Sequence, residues 1–208
     1  MTEAGSGSGA VRNDEQRWIA QARQGDDDAY SAVVNAFQGP VYNLCFRMLG
    51  NRQEAEDAAQ ETFLKAYRSL ERYDPGRPFV NWILRIASNH CVDRMRRGRL
   101  RPMSLEALHP GLQSGGPSPG PESTMVGAEK EAQVREMLRD LGSTDRAAVI
   151  LFYWHDMSYE EIGETLSLTV SAVKSRLHRA RKELAMRWLS DEAAQSPVRE
   201  AQDEPSTL

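Results

Sequence analysis

The stretch 98–128 constrains this chain more than any other part of it. Those residues hold five of the ten prolines and six of the fifteen glycines, among them GGPSPGP at 115–121. Proline removes a backbone donor and clashes with a helical neighbour, and glycine gives up most entropy on ordering, so the stretch suits neither a helix nor a central strand. It reads as a linker between two domains. Each flank is too short for a large core but long enough for a small helical domain. Extended, 31 residues reach roughly 100 Å.

On both flanks proline and glycine are sparse and apolar residues recur at spacings of three and four, the helical period. The first flank predicts a helix through 18–22, helices over 29–37 and 41–49 separated by Gly39-Pro40, a long helix over 53–70, a YDPGRP loop at 73–78 and a helix over 79–97. The second predicts helices over 129–141 and 145–154, then a closely spaced pair. Ser158 to Glu161 is a Ser-x-x-Glu capping box. Ser167-Leu168-Thr169 is a short turn whose threonine can cap the next helix. Val173, Leu177, Ala180 and Leu184 then follow at steps of four, three and four. Two short helices joined by a tight turn are helix-turn-helix geometry. The fold class is all-α: two small helical domains, 14–97 and 129–189, joined by a flexible linker. Residues 1–13 read as a flexible lead and 190–208 as an acidic disordered tail.

Net charge is −4, which by itself disfavours a nucleic-acid partner, but the charge is segregated. The last 19 residues carry five acids against Arg199. From Arg77 to Arg101 there are seven arginines and one acid, and from Val170 to Arg187 six lysines or arginines and one acid. Two basic segments in a neutral body suit two contacts with a polyanion. On the second helix of the pair, Ser171, Lys174, Ser175 and His178 lie opposite the apolar stripe, flanked by Arg176 and Arg179, with Arg181 further along. Short hydroxyls and cations of this kind meet base edges and phosphates. On 79–97, Trp82, Asn89 and His90 accompany Arg85, Arg94, Arg96 and Arg97, and aromatics mixed with cations suit an unpaired strand. The helix 53–70 instead exposes Glu54, Asp57, Gln60 and Glu61, a face for a protein partner.

Cys45 and Cys91 are far apart in sequence, in separate apolar contexts, and read as two buried thiols. The four histidines have no ligand spacing, and no phosphate-loop, nucleophile-elbow or zinc-protease motif occurs. Neither catalysis, cofactor nor metal is expected. No apolar run approaches the ~18 residues of a membrane span, and the first residues lack a signal pattern, so a cytoplasmic location is expected.

DAAQETFLKAYRSL (57–70) resembles the polymerase-binding helix of region 2 in sigma-70-family proteins. FVNWILRIASNHCVDRMRR (79–97) resembles the promoter-melting helix that follows it, and SYEEIGETLSLTVSAVKSRLHRARKEL (158–184) resembles region 4. Three motifs in this order, with nothing like region 3 between them, resemble the extracytoplasmic-function (ECF) group. The resemblance implies an alternative sigma factor that binds bacterial RNA polymerase core and directs it to promoters. Asp57, Gln60, Glu61 and Leu64 would face the clamp helices of the largest subunit, and the second domain would meet the flap. The YDPGRP loop, with Lys65 and Asn89, would hold a flipped base of the −10 element, and Arg94, Arg96 and Arg97 would follow phosphates. Ser171, Lys174, Ser175, Arg176, His178, Arg179 and Arg181 would meet the −35 element. An anti-sigma factor is implied as a further partner. Gly142 and Gly163 stand where the family often has Pro and Ala, and Ser171-Ala172 replaces a frequent Gly-Thr, which bears on which −35 sequence is read. The runner-up, a helix-turn-helix regulator that binds duplex DNA without polymerase, leaves the acidic face and the strand-melting helix without a use.

Overall fold

A computed structural model describes residues 7–100 and 125–195, and all regular structure among them is helical. The order is α1 (Gly7–Ala22), α2 (Asp27–Leu49), α3 (Arg52–Arg68), a 3-10 turn (Leu70–Arg72), α4 (Phe79–Leu100), α5 (Met125–Asp140), α6 (Ser143–Trp154), α7 (Tyr159–Leu166) and α8 (Val170–Gln195). The helices at 29–37 and 41–49 are one: α2 runs through Gly39-Pro40. An interior proline costs about 3 kcal/mol. Against that, Val33, Phe37, Val41, Leu44 and Met48 form one buried stripe on both sides of it. Each such side chain contributes about 1.5–3 kcal/mol when fully buried, so packing wins. The carbonyl that loses its partner, on Ala36, lies on an exposed turn where water can reach it. Asp26 caps the start of α2 by accepting from the Ala29 N–H at 3.0 Å, and Gly50, at φ 73°, closes its end.

Two further boundaries differ from the sequence reading. Helices α4 and α5 extend into the expected linker at both ends, taking in Gly98 and Gly127, because glycine near a helix end costs only about 1 kcal/mol; the prolines lie between them, and residues 101–124 fall outside the described residues. At the chain ends, α1 begins at Gly7 and α8 reaches Gln195. Once a helix is nucleated and anchored by packed residues such as Ile19 and Ala22, each added turn costs little.

Alanines 55, 58, 59 and 66 on α3 are small enough for a close approach to α2, and Phe79, Ile83, Leu84 and Ala87 of α4 complete that core. In the second half Leu138, Leu141, Ala147–Leu151, Ile162, Val173 and Leu177 are buried. Cys45 and Cys91 are not in separate surroundings. Facing from α2 and α4, both fully buried, they are partnered thiol to thiol, which together with burial pushes the Cys91 thiol far above its usual range.

The two halves are packed against one another, α6 on α2 and α4, and α7 on α4. Arg146 of α6 is the central tie. It is 5% exposed, and its guanidinium donates to the Met48 carbonyl at 2.5 Å, the Arg139 carbonyl at 2.6 Å and the Leu141 carbonyl at 3.4 Å. One cation thus serves the C-terminal ends of α2 and α5, where the helix dipole is negative. Arg47 lies 4.7 Å over the Trp154 ring and Arg135 4.7 Å over Phe46, each crossing between halves.

Candidate nucleic-acid interface

The pair α7–α8 is built as its sequence requires. Ser158 Oγ accepts from the Glu161 N–H at 3.2 Å, and a Glu161 carboxylate oxygen accepts from the Ser158 N–H at 2.8 Å. Ser167 then takes the left-handed conformation, φ 56°, and the Leu168 N–H donates to the Gly163 carbonyl at 2.8 Å. The turn is so tight that a Cβ on Gly163 would stand 2.8 Å from the Leu168 carbonyl oxygen. That contact explains glycine at this position. Thr169 Oγ1 accepts from the Ala172 N–H at 3.2 Å and starts α8.

On α8, Val173, Leu177 and Ala180 are buried, while Ser171, Lys174, Ser175, His178 and Arg179 are exposed together on the outer side. Lys174 Nζ lies 5.6 Å from the Tyr159 ring centre. Of the other two predicted residues, Arg176 is half-buried and Arg181 is exposed, and each has a partner on α6. Arg176 donates to Asp145 at 2.6 Å, and Arg181 donates to the Tyr153 hydroxyl at 2.8 Å with its guanidinium 5.3 Å from the Phe152 ring. Both belong to the contact between α8 and α6, where a carboxylate and an aromatic edge lie within reach of a long side chain.

In the first half, Lys65 Nζ bonds to His90 Nδ1 at 2.7 Å and stands 3.8 Å from Glu61. Burial first, and the Lys65 charge second, hold His90 below its ordinary pKa, which favours the neutral ring that accepts this bond. Asn89 is exposed. Arg94 lies 3.7 Å from Glu54, Arg96 donates to Thr144 Oγ1 at 3.3 Å, and Arg97 donates to the Asp93 carbonyl at 3.3 Å. The YDPGRP loop is fixed from within: Asp74 accepts from the Gly76 N–H at 2.9 Å, and the Tyr73 hydroxyl donates to the Arg77 carbonyl at 2.5 Å. Tyr73, Phe79 and Trp82 pack edge-on and tilted at ring-centre distances of 5.1–5.5 Å, so Trp82 is part of an aromatic wall and only half-buried.

A cleft of about 290 Å³ opens beside that loop. Its first-half lining includes Arg72, Arg77, Asn81, Trp82 and Arg85. Neither Lys65 nor Asn89 lines it. Asn89 lies two helical turns beyond Asn81, ~12 Å along α4 at 1.5 Å per residue. Arg72 and Asn81 were therefore missed, and Arg85 was named only among the cations of 79–97. The signal was available: Asn81 and Arg85 are four apart on α4, on the loop side.

On α3, Asp57 and Gln60 are exposed, Glu61 is half-exposed and Leu64 is 51% exposed. Tyr67, 41% exposed, continues the face, with its hydroxyl donating to Asp27 at 2.9 Å. An exposed leucine and tyrosine with polar groups around them suit an apolar centre with a polar rim, the pattern of protein-docking surfaces. Tyr67 was not singled out from sequence.

Comparison with known proteins accounts for this arrangement. The Sigma-70 region 2 family model matches residues 33–101, and the Sigma-70, region 4 model matches residues 131–184. The ECF RNA polymerase sigma factor SigW of Bacillus subtilis is 36% identical over 172 residues, covering 80% of this chain and 92% of that protein. The chain belongs to the sigma-70 family, in its extracytoplasmic-function group. The RNA polymerase sigma-H factor of Pseudomonas aeruginosa is 32% identical to this sigma factor over 197 residues, 92% of this chain and 99% of that one. Among solved structures, CnrH in complex with the cytosolic domain of CnrY matches with a TM-score of 0.62 at 26% identity, covering 86% of this chain and 99% of CnrH. Like its family, this sigma factor binds RNA polymerase and directs promoter-specific initiation. No helix among the described residues is long and apolar enough to cross a membrane, and they hold no group of three metal-ligating side chains.

Proposed function

We propose a division of labour along this chain. Residues 14–97 dock on the polymerase clamp helices through Asp57, Gln60, Glu61 and Leu64, joined by Tyr67. Lys65, Asn89, Arg94, Arg96 and Arg97 line the path of the melted −10 strand, and the loop cleft with Asn81 and Arg85 takes a flipped base. Residues 129–189 meet the flap and read the −35 element through Ser171, Lys174, Ser175, His178 and Arg179. Arg176, half-buried against Asp145, orients α8 against α6 in this reading, and the exposed Arg181 meets backbone phosphates. The chain acts in the cytoplasm beside polymerase, performs no catalysis of its own, and has an anti-sigma factor as a further partner, by family resemblance. The observation that carries the reading is the coexistence on one chain of an acidic-apolar face on α3 with separate basic surfaces on α4 and α8.

Holoenzyme challenged with a library of −35 variants tests it. Lys174→Ala should cost about 1–3 kcal/mol and relax preference at one or two −35 positions. An unchanged sequence profile would remove Lys174 from base reading.

A further inference from the structure

A second cleft, of about 620 Å³, lies around the C-terminal end of α2. That volume is within the roughly 300–1,000 Å³ of small-molecule sites. Four arginines line it: Arg94 and Arg97 from α4, Arg139 from α5 and Arg146 from α6. Glu54 of α3 is the one carboxylate in the lining, which leaves a formal excess of three positive charges. The contacts of these arginines do not remove that excess. Arg94 stands 3.7 Å from Glu54, too far for a good hydrogen bond. Arg97 donates to a neutral acceptor, the Asp93 carbonyl, at 3.3 Å. Arg146, buried at the edge of the cleft, donates to three carbonyls. Arg139 pairs with Glu136 at 2.9 Å, but both side chains are more than half exposed, and such a pair contributes little and is readily exchanged.

We propose that this cleft binds a short phosphate chain, either inorganic polyphosphate or the polyphosphate of a nucleotide, held by arginines of both halves at once. A concave site lined by one sign of charge focuses its field and concentrates counter-ions. An excess of three charges calls for a multivalent anion, and the planar guanidinium fork matches phosphate oxygens. Arg94 and Arg97 are three apart and so share one face of α4. Arg139 meets the chain from the other half by leaving Glu136. Arg146 keeps its carbonyls and acts through its charge. Glu54 opposes the anion. A continuous strand could run along Arg94 and Arg97, but it has no use for the cations of α5 and α6, whereas a chain of two to four phosphates, as an order of size, fits among all of them. Leu49 and Met95 line the same cleft and offer an apolar flank for a nucleoside. Arg94 and Arg97 also belong to the proposed path of the −10 strand. The test below contains no DNA, so it stands or falls separately from that path.

The probe is sodium triphosphate, titrated by calorimetry into the full chain at physiological ionic strength, where diffuse attraction is screened beyond about 8 Å. Saturable one-to-one binding is expected, with orthophosphate about tenfold weaker or worse. Arg97→Glu and Arg139→Glu, both at exposed positions and from opposite walls, should each weaken triphosphate about tenfold, the lower end of what one hydrogen bond to a charged group contributes. Glu54→Gln should tighten it severalfold by removing a like charge. Arg17→Glu makes the same charge change as the two arginine variants at an exposed position on α1 and should leave the affinity unaltered. Phenylglyoxal modification mapped by mass spectrometry gives a second readout: triphosphate should shield Arg97 and Arg139 together. ATP and GTP then separate the sources. Tighter binding than triphosphate assigns the chain to a nucleotide with its nucleoside against Leu49 and Met95; equal or weaker binding assigns it to inorganic polyphosphate. No binding by either readout, an equal loss in Arg17→Glu, orthophosphate as tight as triphosphate, or shielding of one wall alone overturns the proposal.

Discussion

Arg146→Ala removes the only side chain that bonds backbone carbonyls at the ends of two helices from different halves among the described contacts. Two of its three hydrogen bonds, at 2.5 and 2.6 Å, are short; the third, at 3.4 Å, is long. A hydrogen bond to a charged group contributes about 1.5–3 kcal/mol net, so the short pair accounts for roughly 3–6 kcal/mol. Removing the cation also removes the cost of burying it, which lowers the loss. Water from the adjoining cleft, which Arg146 and Met48 both line, can reach the vacated carbonyls and lowers it further. The net expectation is a loss of about 2–4 kcal/mol. Urea denaturation followed by far-UV circular dichroism measures it, provided the slope stays constant so that the midpoint reports stability. Arg146→Lys is the informative control. An ammonium carries the charge but cannot hold carbonyls in the planar, forked geometry that guanidinium imposes, so lysine should recover less than half of the loss. A loss under about 1 kcal/mol for alanine, within the range of ordinary surface substitutions, or full rescue by lysine, would refute the role assigned to the fork.

Other perturbations follow from single contacts. Gly163→Ala sets a methyl 2.8 Å from the Leu168 carbonyl oxygen, so it should destabilise the second half by about 1–3 kcal/mol; an unchanged thermal midpoint would mean the turn widens freely. Burial, aided by the Arg47 charge, lowers the His155 pKa to about 4 from its ordinary 6.5. The unfolded chain therefore binds this proton first, so stability should fall as pH drops from 6.5 towards 4, and His155→Gln should flatten that decline in acid titrations of unfolding. Asp57→Lys should weaken association with core polymerase while the chain stays helical, as a core-binding titration would report. Asn89→Ala should slow open-complex formation more than closed-complex binding, and equal loss on duplex and −10 mismatch-bubble templates would count against its place on the strand path.

What could be read in the sequence was whatever a short window determines. The capping box of Ser158 and Glu161, the Thr169 cap and the apolar spacing of α8 are contacts within four residues, and each occurs as the pattern implies. Helix α2 was misdivided because Pro40 is a local signal and the stripe from Val33 to Met48 is a tertiary one. Two glycines near helix ends were overweighted in the same way. The pairing of Cys45 on α2 with Cys91 on α4 joins residues 46 apart in sequence, and no spacing rule encodes it.

The functional surfaces divide along the same line. Periodicity places a basic residue on a face, but a long side chain goes to whichever partner lies within its reach. On α8, seven residues shared the expected DNA role. Arg176 meets Asp145 and is half-buried; Arg181 meets the Tyr153 hydroxyl while staying exposed, as do the five on the outer side. The loop cleft makes the point from the opposite direction. Asn81 and Arg77 were within view as polar residues beside a loop, yet their partners, Glu161 and Glu164, lie 80 and 87 residues later. Those two glutamates read as helix-capping and solvent-facing residues when α7 is taken alone. Only with α7 laid on α4 do they line the loop cleft, and one carboxylate, that of Glu161, does both tasks: it caps its own helix and accepts from Asn81. Glutamine at 161 could keep the cap while losing the negative charge at the cleft, which makes Glu161→Gln the substitution that separates the local role from the long-range one.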